Sequence, residues 1–108
     1  MMATTRDFRD TIQERIQRDE DFAVALLDEA ISLFLSGESE TARLILRDLV
    51  NSTVGFEALA VEVKTPSKSL HRMLSARGNP TMDNLTKIFT ILQQKLSVDL
   101  EVHAVKQA

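Results

Sequence analysis

The sequence predicts an all-α chain, a compact helical domain of 108 residues. Apolar residues recur at three- and four-residue spacing over most of the length, the period of a buried helix face. Those residues are Leu, Ile, Val, Ala and Met, with five Phe and no Trp or Tyr, a set that suits closely packed helices. The 3 Gly and 2 Pro fall where helices would start or stop.

The first helix is expected from Thr5, as cap, through about Ile16, with Phe8, Ile12 and Ile16 four apart on a narrow apolar face. Asp19, Glu20 and Asp21 interrupt it, and negative charge just before a helix favours its N-terminal dipole. Residues 22–36 form the strongest helix of the first half. Ala23, Leu26, Leu27, Ala30, Ile31, Phe34 and Leu35 give it a wide buried face, and Gly37 is its stop. Residues 38–52 repeat the pattern with Ala42, Ile45, Leu46, Leu49 and Val50. The short joint predicts an antiparallel hairpin, whose plain role is scaffold.

The break at 51–55 is too short for a domain linker, so one domain spans 1–108. It divides into acidic N-terminal helices (1–54), a second region (55–96) and a strand or tail (97–108). Helix 56–63 points Leu59, Ala60 and Val63 inward, with small Ala60 where a partner helix crosses. Lys64 and Thr65 make a turn. Thr65 is the expected N-cap, and Pro66 the first residue of a helix reaching about Ser75. Leu70, Met73 and Leu74 anchor that helix. Its opposite face shows Ser67, Lys68, His71, Arg72 and Ser75. In the loop that follows, Gly78 permits positive φ, and Pro80 blocks continuation. Thr81 caps a last helix that buries Leu85, Ile88, Phe89 and Leu92.

This is the order of a helix-turn-helix, and the charges agree with it. Residues 1–54 hold eleven acidic and six basic residues, whereas 55–96 hold six basic and three acidic, in a chain of net charge −3. Ser and Arg donate to base edges, and Arg with guanine is the commonest specific contact. Candidate DNA-binding residues are therefore Thr65, Ser67, Lys68, His71, Arg72 and Ser75, with Arg77 and Asn79 on the DNA backbone. The competing reading of the same residues is a solvated polar face.

The stretch FEALAVEVKTPSKSLHRMLSARGNPTMDNLTKIFTILQQKL resembles the Cro/repressor-type helix-turn-helix. More narrowly, it resembles the HigA-type antidote (antitoxin) and transcriptional regulator family of bacterial addiction modules. The markers are PSKSLHRMLS followed by GNPTMDNL. In that family a Gly-Asn-Pro loop follows the recognition helix, and the next helix opens with Thr and continues Asn-Leu. The upstream part, from RDFRDTIQ to RDLVN, also resembles the family's N-terminal region. The chain departs at Lys64, where many members of the wider superfamily carry Gly. Positive φ costs Lys about 1 kcal/mol, which predicts a turn of different shape. The resemblance implies a regulator that represses its own operon as a homodimer, with double-stranded operator DNA and a RelE/HigB-like toxin as partners. That toxin class is basic in general, which makes the acidic first half the expected docking surface.

At the end of the chain the period changes. Val98, Leu100, Val102 and Ala104 alternate with Asp99, Glu101 and His103, the pattern of a short C-terminal β-strand. It would pair with its own copy, add to another protein's sheet edge, or fray as a tail.

Other functions find little footing. With no Cys, disulfides, thiolate catalysis and Cys-based zinc sites are excluded. His71 and His103 are the only histidines and sit in unrelated settings, and no metal cluster, cofactor loop or Ser-His-Asp order appears. The chain is not expected to be an enzyme, nor to carry a cofactor or metal. No apolar run approaches the ~18 residues of a membrane span, so a cytoplasmic protein with no membrane partner is expected. The alternative function is a helical protein-protein interaction module that does not bind DNA.

Overall fold

Asp19 stands between the first two helices, and its carboxylate separates them. The computed structural model describes residues 4–108, with side chains from Asp10 onward. Six helices lie among the described residues: α1 (Thr4–Arg18), α2 (Glu20–Leu35), α3 (Ser39–Ser52), α4 (Phe56–Val63), α5 (Ser67–Met73) and α6 (Met82–Leu96). The all-α class expected from the periodicity is the one the chain adopts.

α1 runs to Arg18 and buries Ile16, with Ile12 half-buried. The expected cap at Thr5 and the contact of Phe8 lie outside the described side chains. Asp19 Oδ1 accepts the Phe22 N–H at 3.1 Å and so caps α2, while its other oxygen lies 3.5 Å from Arg15. Arg15 in turn rests over the Phe22 ring, 4.2 Å from its centroid. The acidic trio thus opens a helix, as expected.

α2 buries Ala23, Leu27 and Ala30 and half-buries Leu26, Ile31 and Phe34. Leu35 departs from the expected buried face, being 66% exposed. It is the last helical residue, and beyond it the chain turns away. Gly37, at φ 86°, donates to the Phe34 carbonyl while the Glu38 N–H returns to Leu33, a Schellman ending. The short reversal lays α3 along α2, and α1 packs against both. α3 buries Ala42, Leu46, Leu49 and Val50. It also buries Asp48, whose Oδ1 accepts from Gln13 Nε2 at 3.2 Å and so ties α3 to α1.

The hydrophobic core crosses the midpoint of the chain. Ile16, Leu27, Leu46 and Leu49 share one cluster with Leu59, Leu70, Leu74, Ile88 and Leu92. Phe34 of α2 meets Phe89 of α6 edge to face, with ring centroids 6.1 Å apart, the arrangement an aromatic quadrupole favours. α6 opens as expected, with Thr81 Oγ1 accepting the Asn84 N–H at 3.1 Å. It closes at Ser97, which takes a left-handed φ of 56° and turns the chain back.

The expected C-terminal strand does not form among the described residues, and 98–108 run without regular structure. A strand needs a neighbour for its ladder, and this helical fold offers no sheet edge. Only Val98 and Leu100 pack on the core.

Asp19→Ala removes the acceptor at the start of α2 and is expected to cost about 1 kcal/mol. That corresponds to a fall in Tm of roughly 4–8 °C by thermal denaturation. Asp19→Asn, which keeps a capping oxygen, should stay near wild type.

Candidate nucleic-acid interface

The candidate surface is built on α4, the turn after it, α5 and the loop to α6. α4 is fixed by Phe56, Leu59 and Val63, all buried. Ala60, expected at the closest crossing, is half-buried at the core edge, and Leu59 beside it is the fully enclosed residue.

The turn keeps a left-handed residue even though Lys occupies it. Lys64 sits at φ 56°, ψ 46°, and the Thr65 N–H returns to the Ala60 carbonyl at 3.1 Å. The expectation that Lys would reshape this turn is therefore corrected. Two backbone bonds to Ala60, from Lys64 and Thr65, hold a conformation that costs an L-residue roughly 1–2 kcal/mol.

The start of α5 also differs from expectation. Thr65 is not its N-cap, because the Thr65 hydroxyl donates backwards to the Val63 carbonyl at 3.2 Å. Pro66, at φ −57° and ψ 141°, takes the capping position without a side-chain bond. The helix is then seven residues, Ser67–Met73, rather than the ten of 66–75. Leu70 and Leu74 are buried and Met73 half-buried, as the apolar spacing predicts. Among the helices, α5 packs chiefly on α4, which leaves its far side open.

That far side carries Lys68 and Arg72, both exposed, while His71 lies on the flank toward α4. Lys68 and Arg72, four residues apart, share one helical face. Lys68 and Arg72 take part in no salt bridge among the described residues. His71 is less free than its exposure implies, since its ring stacks on Phe56 with centroids 3.8 Å apart and planes 20° apart. Ser67 is half-buried at the first position of the helix. Ser75 lies beyond the helix and is already engaged: its hydroxyl donates to the Arg72 carbonyl at 2.7 Å. Arg77 and Asn79 are exposed in the next loop.

Gly78 is needed in that loop for closeness, not for positive φ. The positive φ that glycine permits is not used at this position. A β-carbon there would overlap the Met73 carbonyl and come within 2.6 Å of the Arg72 oxygen. The loop thus folds tightly under the end of α5.

Arg43 is the contributor that sequence reasoning missed. From α3 it donates through Nε to the Ser75 carbonyl at 2.9 Å and through its Nη2 to the Ala76 carbonyl at 2.7 Å. These bonds cover the carbonyls released where α5 ends. The available signal was composition: Arg43 and Arg47 are the only bases between Arg18 and Lys64. Lys64 and Lys87, likewise outside the expected set, line a shallow groove of about 410 Å³ with Thr65, Thr86 and Glu62. No group of three or more His, Asp or Glu stands in metal-holding geometry among the described residues, and no helix there is long and apolar enough to cross a membrane.

Arg43→Ala is expected to cost about 1.5 kcal/mol, the low end for charged hydrogen bonds, because one of the two is exposed. The check is thermal denaturation, with Arg43→Lys recovering only part of the loss. Lys64→Gly should instead stabilise the chain by up to about 1 kcal/mol in the same assay by relieving the left-handed strain. In comparison with known proteins, no family model, no curated protein and no solved structure matches the chain.

Proposed function

We propose that the chain is a sequence-specific DNA-binding transcriptional regulator, in which α4 and α5 act as a helix-turn-helix of the Cro/repressor kind. One observation carries this reading: Lys68 and Arg72 are both exposed on the side of α5 that faces away from buried Leu70 and Leu74. A duplex can then meet α5 without displacing any part of the core. Arg72 reads a base edge, where its planar fork suits guanine. Lys68, Arg77 and Lys87 neutralise phosphates, and Asn79 bonds the DNA backbone. His71, flat against Phe56, adds a fixed edge to the reading face.

The reading extends, through the resemblance of PSKSLHRMLS and GNPTMDNL, to an antitoxin that represses its own operon in the cytoplasm. In that role the chain is a homodimer whose two α5 helices meet half-sites roughly 34–36 Å apart. Its toxin partner is RelE/HigB-like and basic. Support for the docking surface comes from α2 and the joint after it, where Asp21, Asp28, Glu29 and Glu38 are all exposed. The chain binds rather than catalyses.

The test is binding to a fragment of its own promoter across a salt series. Phosphate contacts release counterions, so affinity must fall steeply as salt rises. No binding even at low salt would replace the regulator with a helical protein-interaction module. Arg72→Ala is expected to weaken operator binding by about 1–3 kcal/mol and relax base preference at one position. Lys87→Ala should have a smaller effect, equal on operator and random DNA. An equal loss on both DNAs for Arg72→Ala would reduce Arg72 to a phosphate contact.

A further inference from the structure

Arg77 sits between two anchored peptide units. A peptide unit is planar, so a hydrogen bond to its carbonyl or from its N–H restrains the whole plane. On one side of Arg77, the Ala76 carbonyl accepts from Arg43 Nη2 at 2.7 Å. On the other, the Gly78 N–H donates to the Ser75 carbonyl at 3.0 Å, and that same carbonyl accepts from Arg43 Nε at 2.9 Å. Gly78 also lies hard against the Met73 carbonyl, which bars the loop from moving toward α5. With both planes restrained, the direction in which the Arg77 side chain leaves the backbone is set. Arg43 is half-buried, whereas Arg77 and Asn79 are exposed.

We propose that Arg43 is a positioning residue for DNA binding, acting through Arg77 and Asn79 rather than by touching the duplex. The inference rests on the regulator reading above and adds a residue of α3 to its machinery. A contact made from a free loop loses affinity to the ordering that binding must impose. Here the loop is ordered before DNA arrives, because Arg43 commits Nε and Nη2 to its carbonyls. Without Arg43, the unit joining Ala76 to Arg77 loses this bond, and the Ser75 carbonyl keeps the Gly78 N–H. The loss then falls on Arg77 and Asn79. Lys68 and Arg72 keep their seat, since Leu70 and Leu74 still hold α5 in the core. Backbone contacts carry no sequence information, so the weakening is equal on operator and random DNA. A lysine at this position would offer a point charge in place of the planar fork.

The test is a mutant cycle in the full chain, read by DNA affinity across a salt series well below every variant's Tm. Arg77→Ala removes one phosphate contact and should flatten the slope of log affinity against log salt by about 0.9. Arg43→Ala should flatten it by up to the same amount. In a chain already carrying Arg77→Ala and Asn79→Ala, Arg43→Ala should change affinity by less than about twofold, within the scatter of such cycles. Arg43→Lys should recover part of the affinity. Asp19→Ala, a comparable destabilisation at the start of α2, should leave affinity unchanged and so separates position from stability. Without DNA, hydrogen exchange at the Gly78 amide should quicken in Arg43→Ala beyond that at Leu74, whose N–H bonds the Leu70 carbonyl. An Arg43→Ala loss that is the same with and without Arg77 and Asn79, or full recovery by Lys, would make Arg43 a DNA contact in its own right. Unchanged affinity or unchanged Gly78 exchange in Arg43→Ala would leave it a stabilising residue alone. Each of these overturns the proposal while the regulator reading stands. A wild type that binds no DNA ends both.

Discussion

Leu70 and Leu74 sit in a core shared with Leu46 and Leu49 from the first half of the chain. A helix of seven residues is too short to hold itself together in water, where isolated helices below about 12–15 residues are marginal. α5 therefore exists because its apolar side is enclosed, and its orientation is that of the pocket enclosing it. Exposure of Lys68 and Arg72 follows from the same seating, since burying 70 and 74 turns 68 and 72 outward. The acidic half is thus more than a neighbour of the candidate reader. α5 packs chiefly on α4, which in turn packs on α3 and α6.

The ends of α5 are secured by different means. Before it, Lys64 accepts a left-handed conformation that glycine would take more easily, held by the bonds back to Ala60. After it, Gly78 lets the loop lie against the Met73 carbonyl, and Arg43 reaches across from α3 to bond the Ser75 and Ala76 carbonyls. A guanidinium suits this last task because its planar fork bonds two carbonyls at once. The short helix is tied to its neighbour α4 at one end and across to α3 at the other.

The tail follows the opposite logic. Its alternating residues ask for a ladder that helices do not supply, so within one chain it takes no regular structure, with Val98 and Leu100 seated and Val102 outside.

Much of the architecture was legible in the residues alone. Three- and four-residue spacing determined the helices, Asp19 and Thr81 their caps, Gly37 a stop, and Leu70 with Leu74 the buried side of α5. These are local signals, set by period and by side chains that bond their own backbone a few residues away. What only the tertiary structure decided involves partners far along the chain or competition between neighbours. Thr65 had a choice of backbone partners and took Val63, Lys64 was held left-handed by Ala60, and His71 was laid on Phe56. Arg43 found its carbonyls across 32 and 33 positions of sequence, a separation no periodicity encodes. Leu35 and the C-terminal alternation were legible as apolar patterns, yet pattern states only that a residue seeks burial, and the packed chain decides whether anything is there to bury it.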